Sequence, residues 1–203
     1  MGETRVLLHT CCAPCSSAII EAMMQNGITP VIYYCNPNIY PQEEYEIRKN
    51  ECTRYAQTLG LEIVDADYDH ENWLCEMRGL ESEPERGGRC LKCFKLRLLR
   101  TARYARERGI KVITTTLASS RWKSLDQINE AGQWACKNIP PDDCVIWWDQ
   151  NWRKNGLQER RLQIIKEYDF YNQRYCGCEF SMPKDDLTSM QSSLTSDGID
   201  SRE

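Results

Sequence analysis

The sequence predicts a single α/β domain, a mostly parallel sheet with helices on both faces. Three observations predict it. Short β-branched or aromatic runs alternate with longer helical stretches, and glycine closes most of those stretches. The 203 residues, at 41% hydrophobic composition, suffice for one well-cored domain.

Taken in order, Arg5–Leu8 ("RVLL") reads as the first strand. Ser16–Gln25 is a helix stopped at Asn26-Gly27, a usual C-terminal signal. Val31–Tyr34 is the second strand. Glu43–Leu59 is a helix closed by Gly60, and Glu62–Val64 is the third strand. A long connection, Asp65–Arg89, leads to a helix over Cys90–Arg108, closed by Gly109. Lys111–Thr115, rich in β-branched residues, is the fourth strand. Ser124–Cys136 is helical, Val145–Trp148 is a short fifth strand, and Leu157–Lys166 is the last helix. From Lys184 the chain turns polar, and residues 184–203 read as a disordered tail after a catalytic domain over 1–183.

Composition narrows the function classes. No apolar run approaches the roughly 18 residues of a membrane span, and the N-terminus lacks the pattern of a secretory signal. The expected address is cytoplasmic, where thiols stay reduced. Twelve cysteines there point to metal or redox chemistry rather than structural bridges.

In a parallel sheet, ligands bind beyond the carboxyl ends of the strands. "HTCCAPC" follows strand one, "CNPNIYPQEEY" strand two and "TTLASSRWK" strand four, while "GGRCLKC" opens the long helix. These segments converge on one rim, with seven thiols at site-like positions, Cys35 set aside, if "CGC" near the C-terminus joins them. Cys90 and Cys93 form C-x-x-C at a helix N-terminus, which favours the metal-binding thiolate. Cys11 and Cys12 are adjacent and share one centre only where the backbone turns. Four such thiolates make a closed zinc site or hold a four-iron cluster, and their spacing does not choose between the two. Cys176 and Cys178 flank Gly177 in C-x-C. That pair closes a small, easily reduced disulfide, so a redox role competes with metal ligation. Cys35, Cys52, Cys75, Cys136 and Cys144 read as packing residues.

The blocks "HTCCAPCS", "YYCNPNIYPQEEYEIR", "GGRCLKCFKLRL", "TTLASSRWK" and "YNQRYCGCEFS" occur in the order seen in the cobalamin-independent epoxyqueuosine reductases, the QueH family. The chain resembles that family over about residues 5–182. The resemblance implies a fold like that of the PP-loop and adenine nucleotide hydrolase-like (HUP) proteins. No "SGG" loop follows strand one, so no ATP is expected, and the family uses no cobalamin. It implies the last step of queuosine biosynthesis: reduction of epoxyqueuosine at the wobble position of tRNA, with two electrons and two protons. It places a 4Fe-4S cluster on Cys11, Cys12, Cys90 and Cys93, and a redox-active disulfide on Cys176 and Cys178. A variant frees Cys12 to join Cys15 at a second metal ion beside a three-cysteine cluster. Electrons come from a donor that the sequence does not identify. His9, Tyr45 and Lys123 are candidate proton donors, and Lys123 falls in the family's strand-four motif as a substrate-binding residue. Two rival readings are an ATP-dependent tRNA sulfur-transfer enzyme of related fold and a zinc-stabilised binding module without catalysis.

The formal net charge of −4 argues weakly against nucleic acid, but the tail holds five acids and two bases, which leaves residues 1–183 at only −1. The helix over Cys90–Arg108 is basic on the side left to solvent, so Arg100 and Arg103 are expected to meet RNA phosphates. The Arg153, Lys154, Arg160 and Arg161 region is the next such surface, and Trp122 or Trp152 could stack on a base.

Overall fold

A computed structural model describes residues 4–140 and 144–183. The expected polar tail lies outside the described residues. Five strands form one parallel sheet in the order β3-β2-β1-β4-β5, with β1 over Thr4–Thr10, β2 over Ile28–Tyr34, β3 over Ile63–Asp65, β4 over Val112–Thr115 and β5 over Ile146–Trp147. The register sets Leu7 between Val31 and Ile113, and His9 between Tyr33 and Thr115. β1 is central and buried on both faces, which explains why Val6, Leu7 and Leu8 run apolar without alternation.

Among the described residues six α-helices join the strands: α1 (Ala13–Gln25), α2 (Gln42–Thr58), α3 (His70–Met77), α4 (Gly88–Glu107), α5 (Leu125–Lys137) and α6 (Leu157–Glu167). α1 packs on α2 and α6, and α4 on α5. α5 approaches β5 so closely that a Cβ at Gly132 would lie 2.2 Å from the Trp147 ring. Local chemistry sets the boundaries. Ser124 caps α5 by accepting the Gln127 N–H at 3.3 Å, and Gly27, Gly60 and Gly109 leave α1, α2 and α4 at φ near +70°.

The predicted elements are all present, with shifted ends. One shift matters for the site. α1 starts at Ala13 rather than Ser16, with Cys12 as its extended N-cap and Pro14 in its first turn. α3 falls inside the segment expected to be a long connection. Connections from β1 run one way to β2, and the chain enters β4 on the other side. The order therefore reverses between β1 and β4, and a crevice opens beyond their carboxyl ends.

Candidate active site

The crevice is a cavity of about 810 Å³. Its floor is the turn from β1 into α1. Cys12 occupies the N-cap and Cys15 the third position of α1, the spacing at which side chains of a capping box face each other. Cys11 precedes them, its N–H donated to Thr116 Oγ1 at 3.2 Å. The turn that adjacent thiols require is therefore the helix start itself. The three sulfurs lie within 4.8 Å of one another, with Cys11 and Cys12 3.8 Å apart.

Electrostatics at this floor are those of a cation site. Hydrogen bonds from Cys12 and Cys15, and then from Thr116, pull Cys11 far down toward thiolate. Burial pushes Cys12 well up, and the hydrogen bond with Cys11 pushes Cys15 up to about 12. Neighbouring thiolates disfavour one another, and a cation would stabilise all three. The Gln173 amide donates to Cys12 Sγ at 3.2 Å, and its own oxygen has no partner among the described residues.

The opposite wall is the start of α4. Cys90 and Cys93 both line the cavity, as do Cys11 and Cys15, whereas Cys12 is buried just behind the floor. Burial pushes Cys90 upward, against a hydrogen bond from the Arg86 N–H at 3.3 Å. Glu83 accepts the Gly88 N–H at 2.9 Å, and the buried Arg89 donates to the Leu80, Glu81 and Glu83 carbonyls, which fixes this helix start.

The segment that carries Cys176 and Cys178 closes the cavity. The buried Arg48 pairs with Glu44 and donates to the Tyr175 and Cys176 carbonyls at 3.2 Å each. The Tyr40 N–H binds the Gly177 carbonyl at 2.8 Å. Gly177 itself stands at φ +103°, where a Cβ would come within 2.8 Å of Ile39 Cγ1. Cys178 packs with Cys93, Trp73 and Met77 in a small apolar cluster, and burial, then Cys93, pushes its thiol up to about 12. Cys176 behaves oppositely. Burial opposes its ionisation, but Lys123, whose ammonium lies 3.1 Å from its sulfur, outweighs burial and lowers it.

Of the candidate proton donors, only Lys123 lines the cavity. His9 is fully buried between Thr115 Oγ1 at 2.6 Å and the Cys35 carbonyl at 3.1 Å, and burial drops its pKa to about 3. Tyr45 is buried and donates to Asp65. Arg100 donates to the Ala66 carbonyl, and neither it nor Arg103 reaches the cavity. Trp152 is core, whereas Trp122 is 65% exposed on the cavity rim, with the Arg121 guanidinium over its ring.

Sequence reasoning missed most of the cation lining. Nine arginine and lysine side chains, Arg48 and Arg97 among them, line the cavity against one carboxylate, Glu85. Arg86 binds the Trp122 and Arg121 carbonyls, and Arg153 binds those of Ser120 and Lys123, so the rim loop is held from both sides. These arginines come from separate segments, and no local run of charge marks them in the sequence.

A profile of the family described as epoxyqueuosine reductase QueH matches residues 6–184. The chain is 48% identical to the epoxyqueuosine reductase QueH of Histophilus somni over 181 residues, covering 89% of this chain and 73% of that protein. It is 46% identical to the namesake of Acinetobacter baylyi over 178 residues, covering 88% and 80%. Among solved structures, the U34-tRNA thiolase NcsA from Methanococcus maripaludis with its 4Fe-4S cluster aligns at a TM-score of 0.48 and 10% identity, covering 98% of this chain and 69% of that one.

Proposed function

As a member of the epoxyqueuosine reductase QueH family, to which the chain belongs, the protein is an oxidoreductase that reduces epoxyqueuosine in queuosine biosynthesis, and we propose that the reduction takes place on tRNA inside the thiol-lined cavity. The observation that carries this location is the meeting of six cysteines and nine cations around one cavity. Thiols suit electron handling, and cations suit a polyanionic substrate. The wobble nucleotide must leave its stack to enter. The Trp122 ring, on a loop clamped by Arg86 and Arg153, offers a platform for a neighbouring base. Arg103 lies about 20 Å down α4 from Cys90, within reach of a bound stem.

The donor set fits an iron–sulfur centre. Cys11, Cys12, Cys90 and Cys93 would hold a 4Fe-4S cluster between the two helix starts, where it would supply one-electron transfer. A specific observation favours a second metal as well. The Cys15 sulfur lies within 4.8 Å of those of Cys11 and Cys12, so in that arrangement Cys12 would leave the cluster and join Cys15 at the second ion, with Cys11, Cys90 and Cys93 left to the cluster. The rest of the chemistry belongs to the chain. Arginines hold the substrate, the rim loop excludes water, and Cys176 and Cys178 form the dithiol. Among the described residues no helix is long and apolar enough to cross a membrane. A cytoplasmic address fits twelve cysteines that are all unbridged.

The test is direct. Anaerobic protein, a chemical reductant and tRNA bearing epoxyqueuosine should yield a nucleoside lighter by one oxygen in mass spectrometry. Unchanged nucleoside with a colourless, zinc-loaded protein would sink the proposal.

A further inference from the structure

Lys123 is a charged group in a place that demands an account. Its ammonium lies among the cavity-lining side chains, and Cys176 Sγ at 3.1 Å is the hydrogen-bond partner it has among the described residues. Among the described residues no carboxylate or carbonyl accepts from it. Its carbonyl is fixed by Arg153 Nη2 at 2.7 Å, so the backbone that aims it is held. The charged and titratable groups that face this pair are Arg97, Cys11, Cys90 and Glu85. A buried ammonium keeps its proton only while an anion faces it.

We infer that Lys123 is the proton donor of the reaction, releasing its proton to the departing epoxide oxygen as Cys176 and Cys178 join in a disulfide. The inference rests on the reading of those two cysteines as the dithiol. Before the reaction the site holds the Cys176 thiolate, the Lys123 ammonium and the Cys178 thiol. Both epoxide C–O bonds break, a C=C bond forms between the two carbons, and the oxygen leaves as water. The two electrons come from the sulfurs, which form one S–S bond. One proton comes from Cys178 and one from Lys123, which ends as a neutral amine. Net charge is zero before and after, and two electrons and two protons are used.

The driving force is local. Burial favours the neutral amine, and the Cys176 sulfur 3.1 Å away is the first of the anions that hold Lys123 charged. Disulfide formation removes the first of these anions, so proton release is coupled to oxidation of the pair.

The dithiol–disulfide equilibrium tests this apart from turnover. Full-length metal-loaded protein is equilibrated anaerobically in dithiothreitol redox buffers from pH 6.5 to 8.5, quenched by alkylation and read by peptide mass. Release of two protons lowers the potential by about 59 mV per pH unit, twice the 29.6 mV of a tenfold step for a two-electron couple. Lys123→Arg keeps the charge but cannot give up a proton, so its slope should fall to about 30 mV. Its single-turnover rate should fall at least about 100-fold, with iron content unchanged. Lys123→Gln should slow alkylation of Cys176 at pH 7 several-fold, because the thiolate loses its partner. A wild-type slope of about 30 mV, unchanged in Lys123→Arg, would show that Lys123 keeps its proton and would overturn the inference while leaving the dithiol intact. Absence of any Cys176–Cys178 disulfide would overturn the dithiol reading, and the inference with it.

Discussion

Gly177 sits between two thiols in a backbone conformation that side chains rarely adopt, against Ile39 and the Arg48 guanidinium. Gly177→Ala should cost about 1–3 kcal/mol in chemical denaturation, from left-handed strain plus the clash with Ile39. Gly60→Ala provides the control. Gly60 is also left-handed, at φ +67°, but no atom lies within 4 Å of the added Cβ, so its loss should be smaller. Equal losses would show that Ile39 yields freely. The cysteines separate by iron content after anaerobic reconstitution. Cys90→Ala should lose the cluster. Cys15→Ala should keep it and lose one metal ion per chain. A Cys15→Ala protein without any cluster would place that thiol among the cluster ligands and displace one of the four assigned. Retention of full iron in Cys90→Ala would remove α4 from the centre.

At the level of elements, the alternation of strands and helices was legible because the runs that form β2, β3 and β4 follow helices closed by Gly27, Gly60 and Gly109. α3 was not. Its eight residues bury little beyond Trp73 and Met77, and a short helix that owes its existence to tertiary contact leaves a faint periodic trace. The start of α1 was misjudged by three residues because Pro14 reads as a turn, although proline is well suited to a first helical turn. The correct start puts Cys15 in the first turn of the helix, beside Cys11 and Cys12. α3 also anchors the closing segment. His70 Nδ1–H donates to the Pro37 carbonyl at 2.7 Å, and the ring stacks on Tyr40, Tyr68 and Trp73 and lies 3.5 Å from Glu179. Burial opposes its charge, but Glu179 and the Pro37 carbonyl outweigh burial, so the folded pKa lies above 6.5. The sign follows. This stabilisation is fully present below pH 6.5 and is lost as pH rises through the raised value. Amide exchange of residues 176–182 should therefore quicken over that window beyond the intrinsic rise. In His70→Gln the extra acceleration should vanish. A wild-type segment with only the intrinsic rise would mean that the His70–Glu179 pair does not hold it.

Across the whole molecule, charge is segregated. The chain is acidic overall, yet the charged side chains that line its cavity are cations apart from Glu85. Net charge was therefore a poor guide, since binding depends on where charges gather. Trp122→Ala should weaken binding of the anticodon stem-loop by about 1–3 kcal/mol, the range for loss of one stacked base. Arg121→Glu should lower the salt slope by about one or more, with iron content intact. Arg100→Glu with Arg103→Glu should have the smaller effect, because those side chains lie outside the cavity. Stronger loss from that double variant than from Trp122→Ala would move the RNA from the rim to the outer face of α4. The order of the walls along the chain has one more consequence. The floor, Cys11–Cys15, leaves the ribosome first, the α4 wall follows in mid-chain, and the closing segment is translated after both. Every growing chain therefore presents the thiols of floor and wall before residues 172–183 emerge to cover them, so the timetable of synthesis opens a natural interval for loading those thiols from outside.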